Sequence, residues 1–367
     1  MNEAGQINTF ILEELAIEGY ERVIEIKDKT SGLHTIIAMH STARGPALGG
    51  ARIYPYATRE EALTDVLRLS KGMTYKSALI DNGVGGGKAV IIADPKKDKT
   101  PELLEAFGRA VEMLEGQYIT AQDSGMNPED LKIVRRSTRY VVGLTDENSS
   151  GNPSPYTAWG NYWSIRAVCE KLFGTPEVKG KTIAVQGLGN VGETLCEILY
   201  FNGAKLKVAD IDSTRAARVA KRFGAEALDC AEILFTPCDI LTPCALGAVL
   251  NEKTIPMLQT KGVCGSANNQ LGTPDDMRRL EERGILYAPD FVVNSGGAIN
   301  VTAELEPGGY EPTFASERII DIKARLEQIF TIAEENNLST QAAAEQLAEH
   351  RIDNNIGKRT TPTHFHH

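Results

Sequence analysis

A short apolar run, Thr182-Ile183-Ala184-Val185, feeds into Gln186-Gly187-Leu188-Gly189-Asn190-Val191-Gly192 and then into a helical pattern over Glu193–Phe201. A G-x-G-x-x-G turn alone would be a weak signal; one that follows a strand and opens a helix restricts the fold sharply. Short apolar strands are legible at Thr182–Gln186, Lys205–Ala209, Asp239–Pro243, Gly262–Gly265 and Leu286–Ala288, alternating with helical stretches. Strands separated by helices cannot pair as hairpins. They are expected to lie parallel, in a Rossmann-type, doubly wound α/β sheet with helices on both faces.

The chemistry of the turn follows from its glycines. Gly187 permits the tight bend, Gly189 lets bare backbone approach a pyrophosphate, and Gly192 allows the helix to pack closely on the strand. The helix amino terminus at Asn190 and Val191 offers N–H groups and a positive dipole end to phosphates. Asp210 closes the next strand, 23 residues after Gly187. A carboxylate there accepts both ribose hydroxyls and repels a 2′-phosphate, so NAD is expected over NADP. The competing reading is a turn that binds nothing, with Asp210 capping the next helix. Arg215 and Arg218 would soften the discrimination if they turned toward the ribose.

At 367 residues the chain is long for one core, and two domains are expected. In the first half Glu21–Ile26, Leu33–His40, Ala51–Tyr54 and Lys88–Ala93 read as strands of a mixed α/β layer. Helices start at the capping-box form Thr58-Arg59-Glu60-Glu61, at Thr100-Pro101 and at Asn127-Pro128. The polar, turn-forming stretch Glu147–Pro155 marks the boundary, and a long helix from about Tyr156 to Leu172 follows it. The expected domains are 1–147 and 148–329, with a cleft between them. The helical 330–367 is expected to pack back on the first, and its end, Asn354–His367, to be loose.

Composition removes several function classes. A formal net charge of -10 argues against a nucleic-acid surface. No apolar run approaches the roughly 20 residues needed to span a bilayer. Met1–Gln6 lacks the features of a secretory signal, so a cytoplasmic protein is expected. The six cysteines form no CxxC pair and no Cys/His spacing suited to zinc; reduced thiols and no metal are expected. A catalytic cysteine has no sequence-level partner, since no histidine lies between His40 and His350. The terminal His364, His366 and His367 read as a frayed tail.

The first half carries its own signal in Val84-Gly85-Gly86-Gly87-Lys88-Ala89-Val90-Ile91-Ile92. Lys88 at the lip of a buried strand is expected to be partly desolvated, which lowers its pKa. Lys76 ends the run Lys71-Gly72-Met73-Thr74-Tyr75-Lys76, and two lysines feeding one glycine-lined cleft suit a substrate with a carboxylate and a reacting amino carbon. Asp123 stands out in Thr120-Ala121-Gln122-Asp123-Ser124-Gly125. Singly, each has a plain reading: a solvated helix lysine, a strand-edge lysine and a turn aspartate.

Together they resemble something specific. Gly45-Pro46-Ala47-Leu48-Gly49-Gly50-Ala51-Arg52, Lys71–Lys76, Gly85–Lys88, Gly151-Asn152-Pro153-Ser154-Pro155 and Gly265-Ser266-Ala267-Asn268-Asn269-Gln270 occur in this order. The chain thereby resembles the glutamate, leucine, phenylalanine and valine dehydrogenases from about Leu33 to Glu304, and the leucine enzymes most. The resemblance implies NAD-dependent oxidative deamination of an L-amino acid. Residues 1–147 would then be the substrate-binding, catalytic and oligomerisation domain, and 148–329 the NAD domain. Lys76 would hold the substrate carboxylate, Lys88 would activate water, and Asp123 would move protons to and from nitrogen. Gly49 would lie beside the substrate main chain and Asn268 would bridge cofactor and substrate. Cys244, Ala245 and Asn294 would line the nicotinamide side. A homo-oligomer, an octamer as in many leucine dehydrogenases, is also implied, with a small molecule as the other partner.

Side-chain choice is expected to fall to a few apolar positions. Leu48 stands where the glutamate enzymes carry a lysine, and a glutamate substrate would leave its distal carboxylate unpaired there. Ala121 resembles the leucine type, whereas glycine is common there in aromatic-selective enzymes. Ala298 departs from the bulkier valine of leucine dehydrogenases and makes room for longer side chains, phenylalanine or tryptophan among them. One missing branch is worth about 1–3 kcal/mol, so a branched-chain substrate remains the first expectation. Ser295 and Gln122 also depart from the leucine pattern, with no effect assigned. A non-catalytic NAD or amino-acid sensor would be expected to lack Lys88 or Asp123, and a hydroxy-acid dehydrogenase to carry a histidine acid/base.

Overall fold

The structure is a computed structural model that describes residues 10–146, 149–245 and 247–365. Met1–Gln6, Glu147, Asn148, His366 and His367, all invoked above, lie outside the described residues. The chain divides into two compact units, Met1–Gly151 with Val301–Glu311 and Glu349–His367, and Asn152–Asn300 with Pro312–Ala348.

In the first unit one sheet takes the order β1-β2-β3-β5-β4-β6. Its strands are β1 (Phe10–Glu14), β2 (Arg22–Asp28), β3 (Leu33–Ser41), β4 (Ala47–Tyr54), β5 (Gly85–Ile92) and β6 (Tyr118–Gln122). Pairing is antiparallel from β1 through β5 and parallel for β5–β4 and β4–β6, giving a mixed sheet. β1 and β6 were not legible in the sequence. In β6, Tyr-Ile-Thr-Ala-Gln, four of five residues are buried, which erases the alternation that marks a half-exposed strand.

Three helices pack on this sheet: α1 (Arg59–Ile80), α2 (Pro101–Glu112) and α3 (Pro128–Arg135). Thr58 caps α1 by accepting the Glu61 amide at 3.1 Å, but the Glu61 carboxylate takes the Ala57 amide rather than the cap's own. Thr100 accepts the Leu103 amide, and Asn127 with Asp130 closes a full capping box. β5 divides its side chains between two cores. Ala89 and Ile91 enter a large cluster with Phe107 and Tyr118. Val90 packs on the other face with Ala62 and Val66 of α1. Alternation therefore turns Gly86 and Lys88 toward α1.

The glycines preceding Lys88 serve this packing rather than lining an open cleft. A Cβ on Gly86 would stand 2.1 Å from both the amide nitrogen and Oγ1 of Thr74 in α1. One on Gly85 would stand 2.0 Å from the Ser41 carbonyl oxygen, and one on Gly87 would stand 2.9 Å from the Tyr118 ring. The bare backbone is filled by the protein's own neighbours.

The second unit holds six parallel strands in the order β12-β11-β10-β7-β8-β9. They are β7 (Thr182–Gln186), β8 (Lys205–Ala209), β9 (Glu226–Ala227), β10 (Ile240–Pro243), β11 (Gly262–Val263) and β12 (Leu286–Tyr287). The chain runs outward in both directions from β7, so the strand order reverses between β7 and β10, and the Gly187 turn leaves the carboxyl end of β7 there. Open α/β sheets present their binding crevice at that switch point.

Between and beyond these strands come α4 (Ser154–Phe173), α5 (Asn190–Phe201), α6 (Ser213–Phe223), α7 (Asp275–Glu282), α8 (Asp290–Val293), α9 (Gly296–Thr302), α10 (Pro312–Asn336) and α11 (Thr340–Asp353). α10 packs along α4. The approach is close: Cδ1 of Ile322 lies 3.0 Å from where Gly160 would carry a Cβ. The apolar face of α10, Ile319, Ile322, Leu326 and Ile329 among it, is buried, which keeps residues 312–348 with the second unit. The expected division at 330 differs from this, because it was drawn by charge and helicity without knowing which helix that face would meet.

Residues 354–365 are held rather than loose. Arg44 Nε donates to the Ile356 carbonyl at 2.8 Å, and Arg359 bonds the Gly83 carbonyl and pairs with Glu306 at 2.8 Å. Arg351 contacts Asp81 and donates to the Ala78 carbonyl at 2.8 Å. The Phe365 ring meets Tyr140 edge-on, centroids 5.3 Å apart. A polar composition suggested fraying; buried guanidiniums satisfying main-chain carbonyls prevent it. Among the described residues no helix is long and apolar enough to cross a membrane.

Candidate active site

Lys88 occupies mid-β5, opposite Ala38 of β3, with 6% of its surface exposed. An ammonium buried that deeply requires a counter-charge. Asp123, one residue past β6, supplies it through direct contact of Oδ2 with Nζ. The other oxygen, Oδ1, accepts the Ser124 amide at 2.5 Å and lies 3.5 Å from Arg52 Nη2. Gly50 makes room for this arrangement, since a Cβ there would stand 2.4 Å from the Gln122 carbonyl oxygen and 3.1 Å from Asp123 Cβ. Burial, reinforced by the charges of Arg52 and Lys76, pushes the Lys88 ammonium down to about 7, with Asp65 opposing. Lys76, half-buried on α1, thus acts on the same group. The three side chains singled out in the first half share one electrostatic neighbourhood.

Two further members had gone unassigned. Arg52 Nη1 meets Asp65 Oδ2 at 2.8 Å, and the Tyr56 hydroxyl donates to that same oxygen at 2.7 Å. Burial raises the Asp65 carboxyl, but Tyr56, Arg52 and Arg68 more than offset it and hold it below its ordinary value. Strand alternation from Gly50 to Arg52 was the available signal for Arg52; the position of Asp65 depends on how α1 lies on the sheet.

Leu48 and Ala121, 3% and 9% exposed, join Val84, Ile119, Val142 and Val301 in one small apolar cluster, with Met73 and Phe365 packed against it. Val301 stands one helical turn beyond Ala298 in sequence, a spacing that could have flagged it. Gly49 is buried, and its missing Cβ admits the Gly87 carbonyl oxygen, which would stand 1.8 Å from it. Its own carbonyl accepts from Tyr118 Oη at 2.5 Å. Ala298 lies on α9 in the second unit and is half-buried.

In the second unit Gly189 is the N-cap of α5, and no side chain bonds into that cap. Nothing lies within 4 Å of where Gly189 would carry a Cβ, so the turn's outer side is open backbone. Gly187 has φ +92°, and a Cβ there would stand 2.6 Å from Ala245 Cβ; one on Gly192 would stand 1.9 Å from the Gly187 carbonyl oxygen. Two glycines are thus required by packing and the third leaves space, which fits a pyrophosphate at the amino terminus formed by Asn190 and Val191.

Asp210 accepts the Leu188 amide at 2.6 Å and the Asp212 amide at 2.9 Å, with Arg215 at 3.3 Å. Burial raises its carboxyl, but those amides and Arg215 more than offset it, leaving it below its ordinary value. The cap of α6 is Asp212, not Asp210. Arg218 pairs with Glu193 at 2.6 Å. Asn294 Nδ2 donates to Asn268 Oδ1 at 2.7 Å, joining two of the expected positions. Gln270, buried, holds their loop by donating to the Gly265 and Ala267 carbonyls at 2.6 and 3.0 Å. Cys244 Sγ lies 3.7 Å from the side-chain amide of Asn161, and burial pushes its thiol up. Among the described residues no group of His, Cys, Asp and Glu is placed to hold a metal ion.

A doubly wound sheet with an open glycine turn, and a separate mixed sheet carrying a buried lysine–carboxylate pair, suit a nicotinamide-type oxidoreductase acting on small molecules. Comparison with known proteins gives the class its family. Residues 20–140 match the Glu/Leu/Phe/Val dehydrogenase dimerisation domain, and residues 206–357 match the Glutamate/Leucine/Phenylalanine/Valine dehydrogenase family. A leucine dehydrogenase of Geobacillus stearothermophilus is 48% identical over 335 residues, 91% of each chain. A phenylalanine dehydrogenase of Thermoactinomyces intermedius is 43% identical over 93% of this chain and 94% of its own. The crystal structure of L-tryptophan dehydrogenase from Nostoc punctiforme superposes with a TM-score of 0.82 at 43% identity, covering 92% of this chain and 97% of that one. The chain belongs to the Glu/Leu/Phe/Val dehydrogenase family and is an amino acid dehydrogenase that uses a nicotinamide dinucleotide.

Proposed function

We propose that this enzyme oxidatively deaminates a branched-chain L-amino acid, leucine first, with valine and isoleucine behind it. Amino acid, NAD+ and water give the 2-oxo acid, ammonium, NADH and a proton, reversibly. The observation that carries the reading is the buried Lys88 in contact with Asp123. Lys76 holds the substrate carboxylate. Asp123 takes a proton from the substrate ammonium before the Cα–H bond breaks and returns one to the departing nitrogen. Lys88, whose pKa near 7 leaves much of it neutral at working pH, takes a proton from the water that attacks the imine carbon. Its ammonium form then stabilises the developing carbonyl oxygen. Gly187–Gly192 and Asp210 would hold the dinucleotide, with Cys244, Ala245, Asn268 and Asn294 toward its nicotinamide, and it would supply the hydride acceptor.

The apolar surroundings of Leu48 and Ala121 support an apolar substrate over glutamate, whose second carboxylate would have no partner there. A second reading, the same chemistry on phenylalanine or tryptophan, is favoured by the small Ala298 and by the likeness to a tryptophan dehydrogenase. NAD over NADP rests on the Asp210 carboxylate, kept ionised beside the glycine turn. Self-association through the first unit is supported by the dimerisation-domain match, and an octamer is the form that the leucine-enzyme resemblance implies. A cytoplasmic setting rests on six free thiols.

The test is NADH formation at 340 nm with L-leucine, L-valine, L-isoleucine, L-phenylalanine, L-tryptophan and L-glutamate, each with NAD+ and with NADP+. Leucine is expected to give the highest kcat/KM with NAD+, and glutamate none. An aromatic preference would keep the mechanism and replace the substrate. Asp210→Ala is expected to raise the NAD+ KM about tenfold, the worth of a lost charged hydrogen bond, and to narrow the gap to NADP+. An unchanged coenzyme ratio would refute the role given to Asp210.

A further inference from the structure

We propose that Arg52 is a positioning residue for the Lys88–Asp123 pair, clamped by Asp65 so that it holds one oxygen of Asp123 and leaves the other on Lys88. The inference rests on the reading of Lys88 and Asp123 as the reacting pair.

The geometry is a chain of charges drawn from four elements. Arg52 on β4 lies opposite Val90, two residues past Lys88 on β5. Its guanidinium is divided, with Nη1 on Asp65 Oδ2 at 2.8 Å and Nη2 at 3.5 Å from Asp123 Oδ1. A planar fork can serve two carboxylates in fixed directions, which a lysine ammonium cannot. Asp65 is itself fixed, by Tyr56 on one oxygen at 2.7 Å and Arg68 on the other at 3.2 Å. Asp123 sits in the loop after β6, where the Ser124 amide and Arg52 hold Oδ1 and Lys88 meets Oδ2. Arg52 and Lys88 thus meet the same carboxylate on different oxygens.

The charges facing Lys88 are Arg52 from β4, Lys76 and Asp65 from α1, and Asp123 from the loop. Removing Arg52 takes a positive charge from that set. The ammonium of Lys88 is then favoured, and more alkaline conditions are needed to free the amine. Removing the fork also lets Asp123 settle on Lys88 as a fixed ion pair, which slows proton transfer without touching the substrate carboxylate.

The experiment compares wild type, R52Q, R52K and D65N by pH profiles of kcat and kcat/KM for the amino acid that wild type turns over best. For R52Q the acid limb is expected to move upward by about one pH unit. Its kcat is expected to fall at least tenfold, on the order of a lost proton-transfer arrangement, with the amino acid KM little changed. R52K keeps the charge, so its limb should stay at the wild-type pH while kcat falls severalfold. A folded R52Q with the wild-type limb would overturn the proposal. Should R52Q not fold, D65N decides: a severalfold lower kcat at unchanged KM supports the clamp, and wild-type kcat overturns it. Failure of the underlying reading has a different signature, a wild-type protein that oxidises no amino acid, and it would take this proposal with it.

Discussion

Lys88→Ala is expected to lose amino acid oxidation by at least a factor of about a thousand in kcat, within the range of a missing general base. The group removed is buried and touches Asp123, and its ammonium is driven down to about 7 by burial and by the Arg52 and Lys76 charges. Wild-type kcat/KM should therefore rise as the pH passes about 7, where the free amine appears, and the variant should lack that limb. Lys88→Arg sharpens the result. A guanidinium stays protonated at every working pH, so it keeps the charge and loses the base; it should be as inactive as alanine. Dinucleotide binding, measured by NADH fluorescence, should survive in both variants, because the glycine turn and Asp210 lie in the other unit. Activity retained in Lys88→Arg would mean that Lys88 acts by charge alone.

Gly86→Ala is the second large effect, and it acts on folding. The added Cβ would stand 2.1 Å from the amide nitrogen and Oγ1 of Thr74 and 2.4 Å from its Cα, so α1 must lift from β5 or the strand must bend. The Thr74 amide nitrogen and Cα are backbone atoms that cannot swing aside as the end of a side chain can. Overpacking against backbone at the centre of a sheet costs about 3 kcal/mol or more, and α1 carries Lys76 and Asp65 with it. We expect a lowered urea midpoint or an insoluble protein, with activity lost in proportion to unfolding. Gly72→Ala on the same helix is the control. Nothing lies within 4 Å of the Cβ it would gain, so helix propensity should stabilise it by about 1 kcal/mol. Equal midpoints for Gly86→Ala and wild type would disprove the packing argument.

Much of the second unit was legible because its signals are local. The strands Thr182–Gln186 and Lys205–Ala209 were read at their observed limits, since apolar run, glycine turn and helix onset are all short-range features. The cap of α3 was equally plain, because Asn127, Pro128 and Asp130 act within one turn. β6 was missed where burial on both faces removed its alternation, and the tail was misjudged because its arginines find partners far away in the chain. Of the candidate site, Lys88 and Asp123 were singled out by motif, whereas the Arg52–Asp65 link between them and α1 was not.

The sequence by itself determined the parallel sheet and the glycine turn that suits a dinucleotide, and it singled out the two lysines and the aspartate that the fold brings into one electrostatic neighbourhood. Each of these depends on backbone freedom, side-chain period or residue type within a few positions. Only the tertiary structure decided that Gly85, Gly86 and Gly87 pack against the protein's own backbone and side chains, that α10 lies along α4, and that Arg52 reaches both Asp65 and Asp123. These depend on distances between elements far apart in the chain, which one helix laid on one sheet sets and no local pattern encodes.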